Sequence, residues 1–522
     1  MGDNRVVLVN DRSLMSNFRG NYVFGFLSCG PYEKIPRFLY NIFCPVVPAN
    51  PNTGEAIMAE CGVRRVEASL LRDGYKREEV FVAHPEYIEK AITPETKIVG
   101  VGTMDPLGIG PVTSALKSGN SIAYNAYLFA ELIYKINKIR DEKGYKFKLV
   151  LGGSGAWQFK KYKDKKSEYR IDHVVEGEVD SKAPQIFKAI EDGSAPEFIR
   201  AYTRTIEEIP EIVGATVNSL IEAMRGCGRG CPFCDVNKRM KRDFPIDRLT
   251  REALVNKKVG FDYLWLHSDE MLLYACDNSD YIPNRDAIKE LFFAMKALNF
   301  RTIGTTHFTL SSVVADPKVI EYMAEANNLS PSKWLGVQPG VETASPKIGK
   351  YWLAYKTKPF SVEEWPWVVK EGIKILNQNY IYPCCTLIIL PNHDIKGPFP
   401  KEEDDDTKET IQLVEDIAKN ELSCLMAPLL YVDYDEPSRN VTFKNISKLQ
   451  LELYYKCWLY NLRQFDKRLR DVIKPKTFSP LAKLITVSIG KLGVRAILSY
   501  LKGLVKQRFG DIPENFSKSL PK

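Results

Sequence analysis

Two series of short apolar runs, each alternating with amphipathic stretches, constrain the fold of this chain more than any other feature. In the first series, "KIVGVGTM", "KFKLVLGGSG" and "IDHVVEGEVD" have the pattern of buried parallel strands, with helical patterns between them. This alternation predicts a doubly wound α/β sheet, a Rossmann-like domain. Ligands of such sheets bind at the carboxyl ends of the strands. The small or polar residues there are therefore pocket candidates: Thr103, Gly152, Gly153, Glu176 and Gly177.

The second series begins near residue 216 and predicts a partial (β/α)6 barrel. Helical stretches such as 285–298 and 362–377 separate its strands, and barrel chemistry lies at the carboxyl ends of the strands. Its six candidate strands are "SLIEAM", "FDYLWLHSDE", "FRTIGTTHF", "KWLGVQPGVETAS", "YIYPCCTLIILPN" and "LSCLMAPLLYV".

The length of 522 residues suggests about three domains. The pattern predicts an N-terminal extension over 1–94, a Rossmann-like domain over 95–199, a linker over 200–215, the barrel over 216–430, and a helical C-terminal region over 431–522.

Composition places the chain among globular proteins, with 44% apolar and 26% charged residues. No apolar run reaches the ~18 residues of a membrane-spanning helix, and the first residues lack the pattern of a secretory signal. We therefore expect a cytoplasmic protein. In that compartment its eleven cysteines are thiols or metal ligands rather than disulfides.

The net charge of +8 comes from one segment, 472–510, which has eight basic residues and no acidic residue. The rest of the chain is neutral. The segment is also rich in Leu, Ile and Val, a composition that favours an anionic lipid surface over nucleic acid. Two interpretations stay open: peripheral association with the inner face of the membrane, or a helix pair packed on the protein body. Gly490 and Gly493 interrupt the helical pattern.

Three cysteines lie close together in "EAMRGCGRGCPFCDVNKR", namely Cys227, Cys231 and Cys234. Their spacing is C-x3-C-x2-C. A structural zinc site needs four ligands, so it would require a distant fourth such as Cys276. A [4Fe–4S] cluster with three thiolates instead leaves one iron open for a substrate or cofactor.

This motif, with the aromatic Phe233 before its last cysteine, resembles the radical S-adenosylmethionine (SAM) superfamily. The resemblance implies a [4Fe–4S] cluster whose open iron binds SAM, and one-electron cleavage that yields a 5′-deoxyadenosyl radical. It also implies SAM contacts from Phe233, from Asp269 and Glu270 in "HSDEM", and from Glu342 in "GVETAS". The glycines of the family's Gly-Gly-Glu motif are missing from "HSDEM", and "LPN" replaces the family's Gly-x-Pro-Gly-Glu turn.

A Rossmann-like domain before such a barrel resembles the B12-binding subfamily, over about residues 97–430. The five pocket candidates above would then line a cobalamin-like site. The subfamily's frequent D-x-H-x-x-G motif is absent, so cobalamin binding stays open.

Several segments resemble archaeal proteins of this architecture that include the tetraether-lipid ring synthases: "FCPVVPANPNTGEAIMAECGVRRVEASLL", "VAHPEYIEKAI", "VGTMDPLGIGP" and "GGSGAWQ". This likeness implies formation of cyclopentane rings in membrane lipids, with an electron donor such as ferredoxin or flavodoxin. Cobalamin-dependent C-methylation is the second hypothesis. A zinc-stabilised nucleic-acid-binding protein is the third, and the neutral body without a basic face argues against it.

The remaining cysteines are most simply small buried hydrophobic residues. Cys384 and Cys385 are tentative catalytic candidates, because adjacent strand residues point to opposite faces and one of them would face the barrel lumen.

Overall fold

A computed structural model describes residues 3–20, 22–117, 120–234, 239–305, 307–390, 407–433, 439–472 and 480–510. The chain divides into two compact units. Unit 1 comprises Met1–Glu222, Phe244–Trp265 and Leu298–Phe300, and unit 2 comprises Ala223–Asp243, Leu266–Ala297 and Arg301–Lys522.

The strands of the described residues are, in chain order, β1 Val6–Asn10, β2 Met58–Ala59, β3 Val80–Val82, β4 Ile98–Gly102, β5 Lys148–Gly152, β6 His173–Gly177, β7 Phe198–Ala201, β8 Ala215–Thr216, β9 Leu220–Glu222, β10 Met224–Arg225, β11 Arg242–Asp243, β12 Tyr263–His267, β13 Thr302–Thr305, β14 Leu335–Val337, β15 Gly340–Glu342, β16 Ile381–Ile389 and β17 Leu425–Leu430.

The α-helices are α1 Arg37–Phe43, α2 Cys61–Arg72, α3 Ile88–Ala91, α4 Pro111–Leu116, α5 Tyr124–Lys143, α6 Trp157–Lys161, α7 Lys163–Glu168, α8 Ala183–Glu191, α9 Ile246–Lys258, α10 Arg285–Ala297, α11 Leu310–Ala315, α12 Lys318–Asn327, α13 Pro346–Trp352, α14 Trp365–Gln378, α15 Lys408–Lys419, α16 Lys448–Val472 and α17 Pro480–Phe509.

Unit 1 contains a six-stranded parallel sheet in the order β3-β1-β4-β5-β6-β7. Alternate residues of β1 enter different cores: Val6 and Leu8 pack on one face of the sheet, and Val7 and Val9 on the other. Burial on both faces explains why "VVLVN" is a continuous apolar run.

This sheet differs from the expected domain boundaries at both ends. Two of its strands, β1 and β3, come from residues 1–94, so that segment is part of the sheet domain and not an extension in front of it. The edge strand β7 includes the first two residues of the expected linker. Short strands between turns carry too little periodicity to be separated from irregular chain by sequence alone.

Strands of the second series form two further sheets. One has three strands in the order β13-β12-β9, and the other has β16 at its centre, with β14, β15 and β17 running parallel to it. The predicted helices 285–298 and 362–377 correspond to α10 and α14. The α/β class with parallel sheets is therefore confirmed.

Two long helices, α16 and α17, end the described chain and pack against each other. The glycines at 490 and 493 do not interrupt α17, which continues through both. Part of the basic segment, residues 473–479, lies outside the described residues. Within the described residues, no helix combines the length and the apolar character needed to cross a bilayer.

Candidate functional site

The three cysteines lie on a loop that joins β10 and β11, in unit 2. The antiparallel pairing of these two strands brings the ends of the loop together. Glycines 226, 228 and 230 all have positive φ, at 69°, 78° and 78°. At Gly226 a Cβ atom would also lie 2.7 Å from the carbonyl oxygens of Arg239 and Met240. The alternation of glycine with functional residues is therefore a backbone requirement of this loop.

Two of the three thiols are buried. Cys227 and Cys231 are buried and Cys234 is partly exposed. Burial raises the pKa of the Cys227 thiol to about 11 and that of Cys231 to about 12. A metal that binds these sulfurs would hold them as thiolates, and their protons would be released on binding.

The loop supplies three thiols, which is the number that a [4Fe–4S] cluster with one open iron needs. Among the described residues, no three His, Cys, Asp or Glu side chains lie close enough to hold one metal ion. Cys276, the alternative fourth zinc ligand, instead donates its thiol hydrogen to the Ile282 carbonyl, 3.2 Å away.

Arg229 lies inside the cysteine loop and is almost completely buried. Its backbone N–H points to the Cys227 sulfur at 3.5 Å. Its guanidinium donates to the side-chain oxygens of Thr309 and Ser312, and it lies 3.7 Å from the Glu270 carboxylate. It also donates to three backbone carbonyls, those of Tyr355, Lys356 and Lys358. This one side chain therefore ties the cysteine loop to three other segments of unit 2.

The carboxylates of "HSDEM" hold the protein's own backbone. Asp269 accepts a hydrogen bond from the Gly226 N–H at 2.6 Å, at the start of the cysteine loop. Glu270, which is 1% exposed, accepts from the Thr309 N–H at 3.0 Å. Both residues thus lie against the elements that shape the site, and their role in SAM binding stays a prediction.

Glu342 and Lys356 form a buried ion pair beside the cysteines. Lys356 Nζ donates to Glu342 Oε1 at 2.7 Å, and Glu342 Oε2 is buried without a hydrogen-bond partner among the described residues. The ammonium also lies 5.7 Å from the ring centroid of Phe233. Burial lowers the pKa of Lys356, but Glu342 and the thiols of Cys231 and Cys234 outweigh it, so the net shift is upward.

Gly340 makes room for this ion pair. A Cβ atom at residue 340 would lie 1.9 Å from Glu342 Oε1 and 2.5 Å from Lys356 Nζ. Because Gly340 is in register with Thr386 on the neighbouring parallel strand, both residues point to the same face of the sheet. That face is therefore the one that carries the ion pair.

Cys384 and Cys385 point to opposite faces of β16, as predicted. Cys384 lies on the face of β16 where burial is partial, as Thr386 does. Cys385 is fully buried on the other face and hydrogen-bonds with the Cys424 thiol, which in turn donates to the Tyr460 hydroxyl at 3.5 Å. The catalytic role of either thiol stays a prediction.

The five residues predicted for a cobalamin-like pocket lie at the carboxyl edge of the unit 1 sheet, but they pack against their own domain. The backbone N–H and the hydroxyl of Thr103 both donate to the Gly152 carbonyl. A Cβ at Gly153 would lie 2.4 Å from the Thr103 carbonyl oxygen, and one at Gly177 would lie 2.2 Å from that of Ala201. Glu176 pairs with Lys160 at 3.5 Å. Close backbone packing thus accounts for Gly153 and Gly177 without a ligand, and cobalamin binding stays open.

The sequence did not indicate Arg229 or Lys356 as site residues. The glycine on each side of Arg229 was a signal for a special loop conformation but not for burial of the arginine. Nothing near Lys356 distinguishes it from other lysines of the chain. The "LPN" segment, which replaces the family's Gly-x-Pro-Gly-Glu turn, extends at residues 391 and 392 outside the described residues.

Residues 221–414 match the sequence model of the radical SAM superfamily. No curated protein matches the chain. One solved structure of similar fold is a radical S-adenosylmethionine methyltransferase, TsrM from Kitasatospora setae, with a tryptophan substrate and the SAM analogue aza-SAM bound. The TM-score is 0.50 at 12% sequence identity, over 82% of this chain and 73% of that chain. At this identity the likeness concerns the fold alone.

Proposed function

We infer, from the premise that residues 221–414 form a radical SAM superfamily domain, that this chain cleaves SAM reductively and abstracts hydrogen from unactivated C–H bonds. The observation that carries the proposal is the set of three thiols on one loop, which has no fourth cysteine. The glycines between them have positive φ angles. A [4Fe–4S] cluster with SAM at its open iron would supply the one-electron cleavage that gives methionine and the 5′-deoxyadenosyl radical.

The residues of the chain have distinct tasks in this proposal. Cys227, Cys231 and Cys234 hold the cluster. Arg229 fixes the loop, because its guanidinium is bound to backbone carbonyls beyond the loop. Glu342 offers Oε2, a buried acceptor without a partner, to a donor group of the bound cofactor.

For the substrate, we propose a saturated membrane lipid, with ring formation in tetraether lipids as the reaction. Two SAM molecules and two electrons would supply two 5′-deoxyadenosyl radicals, each radical would take one hydrogen atom from a saturated carbon to give 5′-deoxyadenosine, and a C–C bond would form between the two carbons. The segments that resemble the archaeal ring synthases support this choice, and so does the basic, aliphatic composition of residues 472–510. The electron donor would be a ferredoxin or a flavodoxin.

C-methylation is the second candidate, and one observation favours it: the solved structure of similar fold is named as a methyltransferase. In its cobalamin-dependent form, this reaction requires a cobalamin site in unit 1. Product mass separates the two candidates, because each ring removes two hydrogen atoms from the lipid and each methylation adds one CH₂.

The test of the SAM-cleaving activity uses two cysteine variants of the anaerobically reconstituted protein. We expect Cys231→Ala to reduce cleavage of SAM to the background rate and to lower the iron content, while circular dichroism stays unchanged. Cys276→Ala should retain both iron and cleavage. Cleavage by Cys231→Ala at the wild-type rate would refute the cluster assignment, and equal metal loss in both variants would favour a four-cysteine zinc site.

A further inference from the structure

Lys356 is a buried lysine whose position is fixed at both its backbone and its side chain. Its carbonyl oxygen accepts hydrogen bonds from Ser311 Oγ at 2.7 Å and from Arg229 Nη1 at 3.2 Å. Its side chain is 10% exposed and ends at Glu342. Since Arg229 belongs to the cysteine loop, the loop itself determines where the Lys356 backbone lies.

The ammonium group of Lys356 acts on the cysteine loop as well as on Glu342. The Phe233 ring, two residues beyond Cys231, faces the same ammonium at 5.7 Å. Arg229, a second cation of the cysteine loop, lies 3.7 Å from the Glu270 carboxylate. Lys356 thus places positive charge next to the part of the loop that carries Cys231 and Cys234.

We propose that Lys356 is an electrostatic positioning residue whose ammonium stabilises the negative charge gathered at Cys231 and Cys234 and thereby raises the reduction potential of the cluster they hold. This inference rests on the proposed function, since it needs a cluster at these cysteines. Reduction adds one electron to a site that is already anionic. A fixed positive charge in a poorly solvated environment makes that step more favourable, and its removal makes it less favourable.

The test measures the midpoint potential of the reconstituted protein, without SAM, by a redox titration followed by electron paramagnetic resonance. We expect Lys356→Met to make reduction at least tenfold less favourable, a shift of about 59 mV to lower potential for one electron. Lys356→Arg keeps the charge and should keep the potential close to that of the wild type. Lys350→Met is the matched control, because Lys350 is an exposed lysine paired with Glu363.

A second variant gives the opposite sign and covers the case in which Lys356→Met fails to fold. Glu342→Gln removes the carboxylate that partly neutralises the ammonium, so we expect its potential to rise. A lower midpoint potential in Lys356→Met and a higher one in Glu342→Gln would show that charge causes the shifts. A purely structural role would not move the two potentials in opposite directions.

The test distinguishes failure of the proposed function from failure of the proposed role of Lys356. A wild-type protein without an iron–sulfur signal would refute the proposed function. A normal wild-type signal with an unchanged potential in Lys356→Met, or a lower potential in Glu342→Gln, would refute the role of Lys356 alone.

Discussion

At the scale of single residues, Gly340 is the position where one added methyl group would damage the site most directly. Its backbone does not require glycine through φ, but its Cβ position is occupied by the Glu342–Lys356 pair. The conflict is with charged groups that have little room to move, since both side chains are buried.

We therefore expect Gly340→Ala to separate the Glu342–Lys356 pair and to destabilise the protein. Breaking a buried ion pair costs about 3–5 kcal/mol, which thermal unfolding would show as a clear fall in melting temperature. Gly336→Ala, on strand β14 of the same sheet, is the control, because its Cβ would meet nothing closer than 3.9 Å. Equal stability of the two variants would contradict the packing described here.

Asp11 has an unusual pKa for a simple reason: it is buried directly after β1. Burial raises its pKa from 3.8 to about 6, although the Ser13 N–H and hydroxyl both donate to its Oδ1. Between these two pKa values the folded state binds a proton that the unfolded state has released. This carboxyl group therefore lowers the free energy of unfolding as the pH rises from about 4 to 6.

It follows that Asp11→Asn should stabilise the protein at pH 8, where the folded wild type carries a buried charge. The expected gain is on the order of 2–3 kcal/mol, and it should disappear near pH 4, where Asp11 is protonated in the folded state. Thermal unfolding at the two pH values measures this difference. A stabilisation that is the same at both pH values would mean that the charge of Asp11 is not its cause.

Some residues of the site can be predicted from the local sequence, and others cannot. Cys227, Cys231 and Cys234 could be predicted because their chemistry depends on spacing along the chain. Arg229 and Lys356 could not, because their importance comes from burial and from partners 126 and 14 residues away along the chain. Local sequence does not determine which cation of a chain becomes buried.

At the scale of elements, α17 favours the interpretation of the basic segment as part of a helix pair that packs on the protein body. Its buried residues Val494, Leu498, Leu501 and Val505 recur at helical spacing, and the helix packs against α16. Arg508 donates to the carbonyls of Phe443 and Ile446. This half of the helix is thus a packed element of unit 2, while its opposite face remains exposed, including Leu492 at 61%.

Two leucine variants of α17 separate packing from lipid binding. Leu501→Asp places a charge at a residue that is 1% exposed, so we expect it to lower the melting temperature strongly. Leu492→Asp should leave the melting temperature unchanged and should weaken binding to anionic lipid vesicles. Unchanged vesicle binding by Leu492→Asp would show that the exposed face of α17 does not contact the lipid.

Elements of regular pattern were predicted well, while short strands were not. The helices α10 and α14 carry enough residues for a clear helical period. The strand β1 has five residues, all apolar but the last. A run of that length fits a buried strand and part of a buried helix equally well, so its place in the sheet depends on pairing partners far along the chain.

At the scale of the whole molecule, the order of strands in the unit 1 sheet determines where a large cofactor would have to bind. With β1 between β3 and β4, the direction of winding reverses between β1 and β4. In doubly wound sheets, this switch point is the crevice for ligands. Here Asn10 Nδ2 donates across it to the Gly102 carbonyl at 3.1 Å.

The iron and cobalt content per chain tests whether cobalamin binds in this crevice. We expect anaerobically reconstituted protein to hold four irons and to retain no stoichiometric cobalt after incubation with cobalamin, because the side chain of Asn10 lies across the crevice. Such a result leaves hydrogen abstraction and coupling as the chemistry, since these steps need no methyl donor. Stoichiometric cobalt would show that the crevice opens, and it would make C-methylation the preferred function. Asn10→Ala, which removes the side chain that spans the crevice, should then bind cobalamin more tightly than the wild type.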